Sequence, residues 1–274
     1  MTHSVGIALG GGGAKGLAHI AMLEVLDDLG VRPVMITGTS IGAVIGSFYA
    51  SGMSAADIRR FFDELTAEPQ SLSALFDDKR YLRWLEYIEL DILGRGNILA
   101  VDKLLDDLGT QVGVSTFEEL DIPLQVVAAD FWGRQEVVLD AGPIMPAIAA
   151  SFALPGVFKP VERAGRILID GGTVNPVPYD HLNDHCDITI AIDVMGKRSP
   201  DDDLYPSFTE MLFNSIQIAE KSILQEKMKT KPPTIYIDVE IHGVKVLEFN
   251  KARHIYAQAE PFREQLRSEL DAYL

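Results

Sequence analysis

"PVMITGTSIGAVIGSFYASG", residues 33–52, contains the turn on which the reading of the fold depends. An apolar run of strand type, "PVMIT", leads into a small, apolar segment of helix type, "IGAVIGSFYASG", which stops at Gly52. Between them, "GTSIG" at 38–42 places Ser40 between Gly38 and Gly42. A strand entering a helix through so sharp a turn forces the middle residue into strained backbone geometry, and only small neighbours fit around it. The middle side chain is then held outward, which makes Ser40 a candidate nucleophile.

The alternation of strand and helix extends to both sides of this turn. "SVGIAL" at 4–9 reads as a buried strand and "AKGLAHIAMLEVLDDLG" at 14–30 as a helix stopped by Gly30. "LQVVAAD", "EVVLD", "RILID" and "DITIAIDV" follow as further strands. This pattern predicts an α/β protein, a three-layer α/β/α arrangement with a largely parallel central sheet, plus a mostly helical C-terminal region. A single domain is expected over residues 1–274, with a motif-bearing core at about 4–195 and a C-terminal extension at about 205–274.

Residues 57–109 read as mostly helical, and the aromatic residues Phe61, Phe62, Phe76, Tyr81, Trp84 and Tyr87 there are expected to pack against the sheet. After the polar "GKRSPDDD", residues 207–230 form a long amphipathic pattern carrying Met211, Leu212, Ile216, Ile218, Ile223 and Leu224. Docking on the domain or on a partner subunit is expected of that helix. "TIYIDVEIHGVKVLEF" at 234–249 reads as strand with a glycine break, followed by a terminal helix.

A formal net charge of -16 argues against nucleic acid as a partner and against simple electrostatic adsorption to anionic lipid. Membrane contact would be peripheral and would need apolar groups. The single cysteine, Cys186, cannot form an internal disulfide, and the apolar N-terminal stretch is interrupted by glycines and by Lys15. A cytoplasmic protein is the expectation.

Gly11, Gly13 and Gly16 in "LGGGGAKG" have the spacing of a dinucleotide fingerprint, but the next strand ends without an acidic residue to hold a ribose. Consecutive glycines at a helix start can instead aim N–H groups at an oxygen that becomes negative during acyl transfer. A nucleophile one strand away from such an anion trap is what ester hydrolysis needs. Asp170, at the end of "RILID" and followed by two glycines, is the candidate partner, placed at a sheet edge where the backbone turns away from the carboxylate. His19 is expected to be a packing or surface residue. A metal site on "HLNDH", using His181 and His185 with Asp180, Asp184 and Cys186, is the rival reading; a solvated helix is favoured there.

"GGGAKG" at 11–16, "GTSIG" at 38–42 and "DGG" at 170–172 together resemble the patatin-like phospholipase family, particularly its bacterial branch and the esterase domain of the neuropathy target esterase type. The likeness runs through "ASFALPGVFKPV" and "DGGTVNPVP" to about residue 194. It implies a serine acyl hydrolase acting on lipid or other acyl esters, with Ser40 as nucleophile and Asp170 as its partner in a dyad without histidine. It further implies an oxyanion hole from Gly11, Gly12 and Gly13, with Lys15, Gly38, Gly42 and Gly171 in support and no metal or organic cofactor. Lys15 stands where the family usually has arginine, and Ala149 where many relatives carry one. The alternative is a regulatory or binding protein on the same fold.

Overall fold

The computed structural model describes residues 3–66, 108–196, 205 and 208–274. In chain order, β1 (Val5–Leu9), a 3-10 turn (Gly13–Leu17) running into α1 (Ala18–Leu29), β2 (Met35–Thr39), α2 (Ile41–Ala50) and α3 (Ala55–Thr66) come first. Then follow β3 (Leu124–Asp130), β4 (Gln135–Leu139), α4 (Ile144–Phe152), β5 (Val161–Arg163), β6 (Arg166–Asp170) and β7 (Ile188–Asp193). The chain continues through α5 (Phe208–Thr230), β8 (Ile235–Asp238) and α6 (Ala252–Asp271). Phe76, Tyr81, Trp84, Tyr87 and the "KRSPDDD" run lie outside the described residues.

All these strands join one sheet, in the order β5-β6-β3-β2-β1-β7-β8, with β4 also on β3. The run from β3 to β8 is parallel, whereas β4, β5 and β6 are antiparallel additions. β1, β2 and β7 are buried along their whole length, which is why none of them alternates between core-facing apolar and exposed polar residues. One face, bearing Ile7, Leu9, Ile36 and Ile190, is covered by α1, α2, α4 and α6, with α3 packed on α1 and α2. The other, bearing Ala8, Met35 and Ala191, is covered by Tyr179, Leu182 and by Leu224 of α5. This is the expected three-layer arrangement.

The pairing along β3 decides where the motifs meet. β4 occupies one edge of β3, and the other edge is shared between two strands. β2 takes its first part, with Thr39 opposite Val127, and β6 takes the rest from the opposite direction, with Asp170 opposite Ala128. β2 and β6 therefore point at each other, carboxyl end to carboxyl end. This corrects the expectation of an edge position for Asp170: β6 is interior, between β5 and β3.

The stretch at 234–249 also departs from expectation, since only Ile235–Asp238 is strand. Beyond β8 the chain turns over the glycine loop, where the Val246 carbonyl accepts the Ala14 N–H at 2.8 Å. That amide sits at a helix start and has no partner within the helix, so the crossing segment serves as its acceptor instead of pairing as a strand.

Candidate active site

Ser40 has φ 55° and ψ -125°, a backbone conformation that a residue with a side chain adopts only when its surroundings force it. The forcing comes from both sides. A Cβ on Gly42 would collide with the Leu9 carbonyl, and one on Gly38 would lie 2.7 Å from the backbone of Ala43. Ser151 of α4 holds the strained peptide in place: its hydroxyl accepts the Ser40 N–H at 2.8 Å and donates to the Val127 carbonyl at 2.6 Å.

The Ser40 hydroxyl donates to Asp170 Oδ2 at 2.6 Å, across 130 positions of sequence. The other carboxylate oxygen accepts the Gly172 N–H at 2.8 Å, and the Asp170 N–H is tied to the Ala153 carbonyl at 3.0 Å. Gly171 lies so close to Val127 that no side chain fits there. Asp170 is 4% exposed, and this burial pushes its carboxyl up to about 6, although the hydrogen bonds from Ser40 and Gly172 favour the charged form.

The pair opens into a cleft that is partly open to solvent. Gly11, Gly12 and Gly13 line it beside Ser40, and Phe152, Phe158, Phe213, Ile216 and Phe249 give it apolar walls. The three glycines are not equivalent. The Gly11 N–H is already donated to the Pro176 carbonyl at 2.9 Å, which argues against counting it among the oxyanion donors. Gly12 and Gly13 lead into the 3-10 turn, where amides have no acceptor within the helix, and Gly13 takes a left-handed φ of 57° to make the turn.

Lys15 is buried outside the cleft lining and donates to the Met195 carbonyl at 2.8 Å, a contact that ties the loop to the end of β7. His19 is fully buried, and its Nε2 donates to the Gly10 carbonyl at 2.8 Å. Burial pushes that imidazole down to about 4, so it is a neutral brace for the glycine loop. Among the described residues the cleft lining contains no histidine.

"HLNDH" is not a paired-histidine helix. Tyr179–Leu182 is a 3-10 turn that ends before His185, which is exposed. His181 instead meets Glu136 at 2.7 Å, and with Asp180 these groups come within 4.8 Å of one another. The cluster is already compensated: Lys227 bonds Asp180 and donates to Asn175 Oδ1 at 2.6 Å, while Asn175 Nδ2 donates to Glu136 at 2.9 Å.

Sequence reading missed the contribution of α5. It docks on the domain over the cleft, adding Phe213, Ile216, Gln217 and Glu220 to the lining. Lys221 pins it to Asp193 at 2.6 Å and to Asp238 at 3.0 Å, and Lys227 pins its far end. Glu220 crowds Gly172, where an added Cβ would lie 2.5 Å from Oε1. Burial, together with the charges of Asp170 and Asp193, pushes Glu220 up to about 8. Ser151 lies within "ASFALPGVFKPV" and Glu220 outside every stretch that carries the likeness, and for both only their neighbours in space show what they do.

The family profile for patatin-like phospholipase matches residues 7–183, a stretch that includes all three glycine turns. The chain belongs to the patatin-like phospholipase family. An uncharacterized NTE family protein of Mycobacterium tuberculosis is 35% identical over 212 residues, which cover 77% of this patatin-like chain and 54% of that relative. The chain thus spans about half the length of these mycobacterial relatives. A protein named lysophospholipase from Candida glabrata is 25% identical over 278 residues, covering 92% of this chain but 15% of that one. VipD from Legionella pneumophila shares the patatin-like fold at a TM-score of 0.52 and 15% identity, covering 97% of this chain and 67% of that one. No helix among the described residues is long and apolar enough to cross a membrane.

Proposed function

We propose that this protein is a serine acyl hydrolase that cleaves carboxylic esters of lipids through an acyl-Ser40 intermediate. The observation that carries the reading is the 2.6 Å hydrogen bond from Ser40 to Asp170 at the base of an apolar cleft. Asp170 takes the Ser40 proton as the hydroxyl oxygen attacks the ester carbonyl. The oxygen that becomes negative is held by the amides of Gly12 and Gly13, each such donor contributing about 3 kcal/mol to the transition state. The alcohol leaves with the proton from Asp170, and water oriented by Asp170 then hydrolyses the acyl-enzyme.

An unperturbed carboxylate is a poor base for a hydroxyl, and burial of Asp170 supports the role by strengthening its hold on a proton. The apolar walls suit an acyl chain, and the name of the Candida glabrata relative supports a lysophospholipid as one substrate class. Active-site labelling with a fluorophosphonate tests the proposal. Ser40 is expected to label rapidly, Ser40→Ala not at all, and Asp170→Asn with ester turnover reduced about a thousandfold or more. A folded protein that stays unlabelled would be a binding protein on this fold. Turnover retained in Asp170→Asn but abolished in His181→Ala would replace the dyad by a triad.

A further inference from the structure

β3 and β6 continue past the site. Asp170 faces Ala128, and three residues further on the Phe131 N–H donates to the Ile167 carbonyl at 2.8 Å. At the usual rise per residue, the tip of the β3–β4 hairpin stands about 10 Å beyond Asp170, at the end of the sheet where parallel strands present their ligand sites. The β5–β6 hairpin closes beside it, with Arg163 opposite Arg166.

This end of the sheet is tightly built yet presents apolar rings to water. Phe131 is 49% and Trp132 is 76% exposed, and their rings meet edge to face at 4.8 Å. The turn beneath them is fixed by Asp130, whose carboxylate accepts the Gly133 N–H at 2.9 Å and whose carbonyl accepts the Arg134 N–H at 2.8 Å. Arg134 holds a left-handed φ of 52° to complete the turn. The rings are thus displayed by an ordered turn.

The two hairpin tips also carry basic groups. The protein carries -16 overall, but Arg134, two residues after Trp132, and Arg166, next to the Ile167 whose carbonyl accepts the Phe131 N–H, are both exposed, as is Glu162 opposite Ile167. Asp130 is turned inward at 8% exposure, 3.7 Å from Arg166. Aromatic rings flanked by guanidinium groups match the water–lipid boundary, where rings lie at headgroup depth and arginine pairs with phosphate.

We infer that the two hairpin tips form the protein's contact with a phospholipid surface, with Phe131 and Trp132 entering the headgroup layer and Arg134 and Arg166 facing phosphates. The contact would bring the cleft to the surface that holds its ester, so the inference rests on the lipid reading given above.

Sedimentation with vesicles of phosphatidylcholine containing phosphatidylglycerol tests it, using the full chain with Ser40→Ala so that no lipid is consumed. The protein is expected to bind, and the added substitutions Phe131→Ser and Trp132→Ser to weaken binding about tenfold or more, as loss of large apolar groups predicts. Arg134→Gln should weaken binding to the anionic vesicles more than to phosphatidylcholine alone. With Ser40 intact, the double substitution should leave fluorophosphonate labelling and turnover of a water-soluble ester unchanged while lowering turnover of vesicle lipid. Equal vesicle binding with and without the rings, or no binding by the parent, overturns the inference. So does a change of oligomeric state in the double variant, which would assign the rings to a protein partner. Failure of Ser40 to label would overturn the proposed chemistry, while the vesicle measurements would still report on the hairpins.

Discussion

The two walls of the cleft are built by different means. One wall is made of strand ends and glycine turns, where Gly38, Gly42 and Gly171 bring backbones so close that no side chain fits. The other is α5, a helix lying across the second face of the sheet and held by two lysines, Lys221 and Lys227, that reach acidic groups on the domain. Steric exclusion leaves the first wall almost no freedom, whereas the second depends on ion pairs that tolerate small displacements. The groups proposed for bond making lie on the first wall, and α5 contributes apolar contacts and one unusual carboxyl.

The sharpest way to break this comparison is Gly42→Ala. A methyl group there meets the Leu9 carbonyl and not a flexible side chain, so about 3 kcal/mol or more of stability should be lost, read as a large fall in melting temperature. Labelling of Ser40 should be lost with it. A folded, reactive Gly42→Ala protein would mean that the elbow is less tightly constrained than its geometry indicates.

Lys221→Met should have a smaller effect of a different kind. It leaves the fully buried Asp193 with the Tyr236 hydroxyl and the Met195 amide but without its cation, at a cost of about 2 kcal/mol. Labelling by a small fluorophosphonate should persist while turnover of long-chain esters falls, because α5 supplies part of the apolar lining. Parallel loss of both activities would show that the two walls act as one unit.

Glu220→Gln should have the smallest effect, confined to the pH profile. As the proposed base, Asp170 can act only when ionised, so activity should rise through about pH 6. Glu220, neutral below about 8, becomes charged as the pH rises through that value, and a negative charge in the cleft lining opposes the oxygen that becomes negative during acyl transfer, so activity should fall there. The glutamine variant should keep the rise and lose the fall. Since the native Glu220 holds its proton to higher pH than an unfolded chain would, it destabilises the fold as pH rises from the ordinary carboxylate range through 8. The variant's melting temperature should be less sensitive over that interval.

What could be read from the chain alone was what neighbouring residues impose on one another. Glycines flanking Ser40 dictate a strand–turn–helix corner whatever lies around it, and fully apolar runs such as Val5–Leu9 mark strands covered on both faces. The glycine run at 10–13 and the Asp170-Gly171-Gly172 turn are legible in the same local way, as amides at a helix start and as a carboxylate at a sharp turn. Pairings between distant segments leave no such local trace. Only the tertiary structure sets β2 and β6 head to head along one edge of β3, commits the Gly11 amide to Pro176, lays Val246 against the glycine turn, and sets Glu220 of α5 against Gly172 beside Asp170. Those arrangements depend on which hydrogen-bonding edges and apolar faces remain unfilled once the sheet has assembled, and that is a property of the whole fold.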